Sequence, residues 1–208
     1  MEIIAHRGFW KDTSEKNTMT ALKRAADSGI GTETDFRDYM EKLAVSHNVA
    51  DSGSPMAEDF FKLYEGTKCT LALNVKADGI QALLKELLQK YNIQNYFCFD
   101  MSIPDTLGYI ESGLKFFARI SEYETVNSLY EKADGVWVDG FIDDDWITPQ
   151  LVKEHREKGK RVCIVSSDLH SRDYQRLWDR LKVKEILEDD EIILCTDYPD
   201  KAKEYFYG

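Results

Sequence analysis

Residues 2–40 read EIIAHRGFWKDTSEKNTMTALKRAADSGIGTETDFRDYM. The stretch opens on EIIAHRG, an apolar run that reads as a buried strand yet ends on two ionisable side chains, His6 and Arg7. It continues as NTMTALKRAADSG, a helix begun by Asn17 or Thr18 and stopped by Gly29. It closes on GTETDFRDYM, a second β-rich run. Strand, helix, strand with short joints is the unit from which parallel sheets are made.

The rhythm persists to the end of the chain. Further β-rich runs stand at TLALNVK, NYFCFD, LKFFARIS, GVWVDGF, RVCIVSS and EIILCTD, which makes eight with the first two. Between them GIQALLKELLQKY sets Ile80, Leu83, Leu84, Leu87, Leu88 and Tyr91 on one helical stripe, and SRDYQRLWDRL does the same with Tyr174, Leu177, Trp178 and Leu181. Thr148 reads as an N-cap, Pro149 as the first helical residue and Gly159 as the stop of another helix. Residues 51–55, DSGSP, read as a loop that caps the helix after it. Eight alternations predict a compact TIM-type (β/α)8 barrel, residues 1–208 as one domain without an insertion; an open doubly wound sheet is the alternative, because alternation alone does not decide closure.

The totals narrow the function. The chain has 208 residues, 43% of them hydrophobic and 31% charged, and a net charge of −11. That charge argues against a nucleic-acid backbone or an anionic membrane as partner, although a local basic pocket can still hold one phosphate. No run of about 18 apolar residues spans a bilayer, so no stable membrane insertion is expected. The sequence starts directly on a strand, with no basic and apolar leader, and its four cysteines, Cys69, Cys98, Cys163 and Cys195, lack CxxC spacing. A cytoplasmic protein with reduced core thiols is the expectation.

In a parallel barrel, chemistry gathers where the strands finish. Reading the polar residues there yields His6, Arg7, Glu33, Asp35, Asn74, Lys76, Asp100, Arg119, Asp139, Ser166, Ser167, Thr196 and Asp197. Glu33 and Asp35 are two apart on a strand and share a face; a hard divalent cation, Mg²⁺ or Ca²⁺, suits two such carboxylates better than zinc does. The segment KLAVSHN reads as a return strand after a turn at YMEK, with His47 on the face of Leu43 and Val45 and so aimed inward. His6 and His47 can divide general-acid and general-base work. Asn74 and Lys76 share a face, the first offering an amide oxygen to a cation and the second a positive charge to an anion that Arg7 and Arg119 can also grip. His155, in a charged helix, and His170, in a loop, receive no role.

These residues resemble the glycerophosphodiester phosphodiesterases and, more distantly, the sphingomyelinase D toxins. The resemblance is carried by HRG at 6–8, SEKNT at 14–18, ETD at 33–35, SHN at 46–48, NVK at 74–76 and TDYP at 196–199, six motifs in the family's order and densest before residue 77. It implies a barrel of the phospholipase-C-like phosphodiesterase type and cation-dependent cleavage of a small phosphodiester. Glu33 and Asp35 become metal ligands, His6 and His47 the acid/base pair, and Arg7 and Lys76 the phosphate clamp. Three departures stand out. The PENT-like segment carries an extra residue before its Asn-Thr, the aspartate after the second histidine is Asn48, and the third ligand carboxylate is Asn74, a gap for which Asp100 is the expected replacement. Two rival readings remain: a barrel that binds a phosphorylated ligand without cleaving it, and a metal-dependent aldolase or isomerase.

Overall fold

The computed structural model describes residues 1–208. Its strands are β1 (Glu2–His6), β2 (Gly31–Tyr39), β3 (Lys42–Val45), β4 (Leu71–Val75), β5 (Tyr96–Phe99), β6 (Phe117–Ile120), β7 (Gly135–Val138), β8 (Arg161–Val165) and β9 (Ile192–Thr196). The helices are α1 (Met19–Asp27), α2 (Ala57–Leu63), α3 (Gln81–Lys90), α4 (Ile103–Ser112), α5 (Pro149–Glu157), α6 (Gln175–Leu181), α7 (Lys184–Leu187) and α8 (Pro199–Tyr207). All eight β-rich runs of the sequence are strands, and β3 is the return strand expected directly after the second of them. The hydrogen-bonded order is β5-β4-β2-β1-β9-β8-β7-β6, with β3 off this path on β2. The chain forms two compact units, Ala5–Phe116 and Met1–Ile4 with Phe117–Gly208.

In the unit of residues 5–116, β2 pairs parallel to β4 and β4 to β5, placing Asp35 beside Asn74 and Asn74 beside Phe99. β3 folds back antiparallel on β2 through Met40 and Glu41, both at positive φ (48° and 62°), the two-residue turn read from YMEK. Thr18 caps α1 by accepting from the Ala21 amide at 3.4 Å, and Ala21, Leu22 and Ala25 form its buried face. Gly8 follows from that packing: at φ 86°, an added Cβ would stand 2.8 Å from the Ala21 carbonyl carbon. A cluster of Phe36, Phe60, Phe61 and Tyr64 locks α2 to β2, the Phe36 and Phe61 rings stacked at 5.5 Å. Contrary to the sequence reading, the 51–55 loop does not cap α2. Asp51 accepts instead from Gly53 and Ser54 within its own turn, and Met56 precedes α2 without a side-chain cap.

In the other unit, β6, β7, β8 and β9 pair in parallel order. Thr148 and Pro149 start α5 as expected, with Thr148 accepting from Leu151 at 3.2 Å. Trp178 on α6 is fully buried and donates to Ser166 Oγ at 2.9 Å, so its polar edge is satisfied inside this core. His155 is buried against Tyr130, 2.9 Å from its hydroxyl, a structural histidine. All four cysteines are free and three of them are buried.

Candidate active site

The unit of residues 5–116 collects its charge where β1, β2 and β4 finish. β2 is buried from Gly31 to Phe36 even though four of those six residues are polar, which packing alone does not favour. Glu33 and Asp35 are 1% and 0% exposed. His6 is the last residue of β1. After it the backbone turns at Arg7, whose φ of 56° is left-handed, a conformation that costs a non-glycine residue about 1–3 kcal/mol and persists only where neighbours enforce it. Here the enforcement is explicit: the Arg7 amide donates to the Glu33 carbonyl at 2.8 Å, and Asn17 N donates back to the Arg7 carbonyl at 3.0 Å. The kink swings the guanidinium over β2.

Asp35 is the hub. Arg7 Nε lies 3.0 Å from Oδ2, Asn17 Nδ2 donates to the same oxygen at 2.8 Å, His47 Nδ1 is 3.2 Å from Oδ1 and Lys76 Nζ is 3.6 Å from Oδ1. Burial pushes this carboxyl up, but Arg7, Asn17, Lys76 and His47 outweigh it and keep the group below the ordinary aspartate range. Glu33 has fewer compensations. Its Oε2 is 3.8 Å from His6 Nε2 and 3.3 Å from the Arg7 amide, and its Oε1 accepts from Asn74 Nδ2 at 3.2 Å. Burial, with the Asp35 charge added to it, raises Glu33 to about 7. Two adjacent carboxyls are thus held apart in acidity by their surroundings.

His47 reaches this cluster by a route the sequence pattern misses. β3 ends at Val45, so His47 lies beyond the strand and its side chain is 47% exposed instead of sharing the buried face of Leu43 and Val45. The loop brings it back: Arg7 Nη2 stands 2.8 Å from its Nδ1. A guanidinium only donates, so this contact puts the proton of a neutral His47 on Nε2; a protonated ring gives its Nδ1 proton to Asp35 instead. Asp35 therefore offers His47 the carboxylate partner that Asn48 does not.

The sequence reads Asn17 only as a candidate helix start, and the structure places it in the site. Its Nδ2 holds Asp35 while its Oδ1 accepts from Thr34 Oγ1 at 2.7 Å, and its φ of 60° is one asparagine tolerates. The signal was present in SEKNT, as an asparagine ahead of a threonine cap. Asp100, at the end of β5, lies 3.3 Å from Lys76 Nζ, so it joins the cluster through the lysine. Arg119 belongs to the other unit, where its Nε pairs with Glu124 at 2.6 Å and its guanidinium lies over Phe141 at 5.4 Å. His170, likewise in that unit, pairs with Asp139 at 2.6 Å.

No group of three or more His, Cys, Asp or Glu side chains is gathered in a form that holds a metal ion. The donor set that does exist mixes acids with an amide. Asn74 is 7% exposed, and its Oδ1 is buried without a hydrogen-bond partner. A buried carbonyl oxygen left unpaired costs free energy unless something electropositive meets it. Beside the Glu33 carboxylate and next to Asp35 in the strand register, that oxygen is a further hard donor, of the kind that fits Mg²⁺ or Ca²⁺ better than zinc.

No family model and no curated protein sequence matches the chain. Solved structures do. A glycerophosphodiester phosphodiesterase from Parabacteroides distasonis superposes with a TM-score of 0.73 at 16% identity, covering 99% of this chain and 96% of that one. One from Agrobacterium tumefaciens gives 0.71 at 15% identity, with 99% and 98% covered. A phosphodiesterase from Oleispira antarctica, crystallised with the product sn-glycerol-3-phosphate, gives 0.68 at 14% identity, with 100% and 97% covered. The fold is accordingly the TIM-type barrel of eight parallel strands expected from the alternation, and the proteins that share it bear the family name that the six motifs resemble.

Proposed function

We propose that this chain is a divalent-cation-dependent phosphodiesterase that cleaves a small phosphodiester by acid/base work divided between His6 and His47. The observation that carries the reading is the ring around Asp35 and Glu33: two histidines and two cations converge on two buried carboxylates of β2. The shared fold of named phosphodiesterases supports it from a separate direction.

Each residue has a task in this proposal. A phosphodiester resists attack because its own charge repels nucleophiles, so Arg7 and Lys76 turn from Asp35 toward its non-bridging oxygens. Departure of Arg7 frees His47 Nδ1 to protonate against Asp35, which leaves Nε2–H to serve the departing alkoxide. His6, 9% exposed and beside Glu33, takes the proton of the attacking water or of a neighbouring substrate hydroxyl. Glu33, Asp35 and the unpaired Asn74 oxygen would hold the cation, and Asp100 is the fourth candidate once Lys76 leaves it; a hard cation bound there supplies charge neutralisation for the phosphoryl oxygens. Arg119, paired with Glu124 in the other unit, takes no part in this proposal. No helix is long and apolar enough to cross a membrane, and free cysteines accord with action in the cytoplasm.

The test is incubation with glycero- and glycosyl-phosphodiesters and Mg²⁺, Ca²⁺ or Mn²⁺, followed by phosphorus NMR for linear and cyclic products. Cleavage that stops on chelation is expected. Asn74→Glu, which returns a carboxylate, should tighten cation binding in calorimetry roughly tenfold, about the effect of one added ligand charge. Asp100→Ala with unchanged cation affinity would remove Asp100 from the set. Binding of phosphodiesters without cleavage would favour the non-catalytic reading, for which the replacement of a ligand carboxylate by Asn74 is the supporting observation.

A further inference from the structure

Strand alternation turns Thr34 away from its neighbours Glu33 and Asp35, onto the opposite face of β2. It is fully buried there, where an apolar side chain would pack without the cost of a hidden hydroxyl. That hydroxyl donates to Asn17 Oδ1 at 2.7 Å, and the other end of the same amide, Nδ2, donates to Asp35 Oδ2 at 2.8 Å. One asparagine thus ties the two faces of β2 together. An ionised carboxylate only accepts, so Nδ2 must face Asp35 and Oδ1 must find a donor elsewhere; Thr34 is that donor. The backbone beneath is fixed as well, since Asn17 N donates to the Arg7 carbonyl at 3.0 Å and Thr18, next in the chain, caps α1. The amide itself is half-buried and lines a cleft of about 380 Å³ together with Arg7 and His47, so an amide not held at Oδ1 can turn out to water. Asp35 Oδ2 has two side-chain partners, Asn17 Nδ2 and, at 3.0 Å, Arg7 Nε.

We propose that Thr34 is a positioning residue: by holding the Asn17 amide, it keeps Asp35 aligned with His47 while Arg7 is away on the substrate phosphate. The inference rests on the phosphodiesterase reading, in which Arg7 turns from Asp35 toward the non-bridging oxygens. Of the two side-chain partners of Oδ2, Arg7 then leaves and Asn17 stays. Its hold keeps Oδ1 at 3.2 Å from His47 Nδ1, the contact through which the protonated ring gives its proton to Asp35. The anchor matters least while Arg7 is in place and most once the phosphate has drawn it off. Turnover is therefore the quantity that Thr34 controls, and substrate binding is not. Thr34 itself, on the far face of the strand, meets no reacting group.

The experiment compares Thr34→Val, which keeps the branched shape and loses the hydroxyl, with Thr34→Ser, which keeps the hydroxyl. kcat and KM for a glycerophosphodiester with Mg²⁺ are read per folded molecule. Thr34→Val should lower kcat by about tenfold or more, the scale of a small misplacement near reacting groups, with KM within about threefold of wild type. Thr34→Ser should bring kcat back to within about threefold. In parallel, nitrogen-15 NMR follows the Asn17 side-chain amide, assigned by its loss in Asn17→Asp. Exchange of its protons with water should be slow in wild type and Thr34→Ser, and at least about tenfold faster in Thr34→Val. Should Thr34→Val not fold, Thr34→Ala removes the same hydroxyl and is read the same way. A wild-type kcat in Thr34→Val, an equal fall in both variants, or a change in KM alone overturns the positioning role and leaves the phosphodiesterase reading in place. A fall in kcat with unchanged Asn17 exchange overturns the route through Asn17. If wild type cleaves no diester, the phosphodiesterase reading fails and the NMR comparison decides alone. Exchange quickened only in Thr34→Val then supports the Thr34–Asn17 anchor, and equal exchange in all three overturns it as well.

Discussion

Both units bury carboxylates where their strands finish, and they use them in opposite ways. In the unit of residues 117–208, Glu122 and Asp168 are held chiefly by donors that organise the chain itself. Glu122 accepts from the amides of Phe141, Ile142 and Asp143 and from Trp146 Nε1. Asp168 accepts from Thr196 Oγ1 at 3.0 Å and the Asp197 amide at 2.6 Å, so the TDYP segment is anchored by it. Asp144 meets Arg180, and Asp139 meets His170. In the unit of residues 5–116, the acids instead meet two side-chain cations, two imidazoles and an unpaired amide oxygen. Backbone donors cannot leave their acceptor; side-chain cations can. A carboxylate locked by amides organises loops, and one held by Arg7 and Lys76 can exchange them for a ligand.

The sharpest break of this comparison is by histidine. His6→Ala and His47→Ala should each lower phosphodiester turnover by at least about 100-fold, the usual scale of acid/base contributions. His170→Ala, though it removes a histidine closer to its carboxylate (2.6 Å) than either of these, should leave turnover in place and cost stability only. Wild-type rates in the first two variants would end the proposed mechanism.

The next contrast is in stability. Glu122→Ala should lower the free energy of unfolding by about 1–2 kcal/mol, because several amides lose a charged acceptor at once. Turnover per folded molecule should persist. Urea unfolding alongside activity separates the two readouts, and an unchanged midpoint would show that the loop does not depend on Glu122.

The smallest effect distinguishes the units by the sign of their pH dependence. Burial works to raise Glu122, but amide donation overcomes it and brings the group to about 2. Its stabilisation is present above the unfolded value near 4.5 and is lost as pH falls from there toward 2. Glu33 runs the other way. Raised to about 7, it keeps its proton in the folded chain where the unfolded chain releases it, so its contribution is full below about 4.5 and is lost as pH rises toward 7. Thermal unfolding across these windows should show Glu122→Gln flattening the acid limb and Glu33→Gln flattening the slope between pH 4.5 and 7. A Glu33→Gln profile parallel to wild type would mean that the folded chain does not hold this proton.

Much of this was legible along the chain. The eight strands, the return strand with its YMEK turn, and the caps at Thr18 and Thr148 all follow from local chemistry, since a period-two apolar run or a capping hydroxyl acts over a few residues. Glu33 and Asp35 could be placed on one face because strand geometry fixes that relation. Local pattern misled where long-range contacts decide. By pattern His47 faces inward from a strand, but it lies past the strand's end; residues 51–55 read as a cap, but they close on themselves. Arg119, read as a phosphate ligand, pairs in the structure with Glu124, five residues on.

By itself, then, the order of residues determined the parallel alternation, the class of fold and the list of polar side chains at the strand ends, because period, cap and turn are properties of neighbouring residues. Only the tertiary structure decided which of those side chains meet. Burial made Glu33 and Asp35 unequal, the left-handed turn at Arg7 laid a guanidinium between Asp35 and His47, and the register of β2 on β4 brought the unpaired oxygen of Asn74 into the same sheet face. Those relations depend on distance through space and on exclusion of water, which no local pattern in the chain encodes.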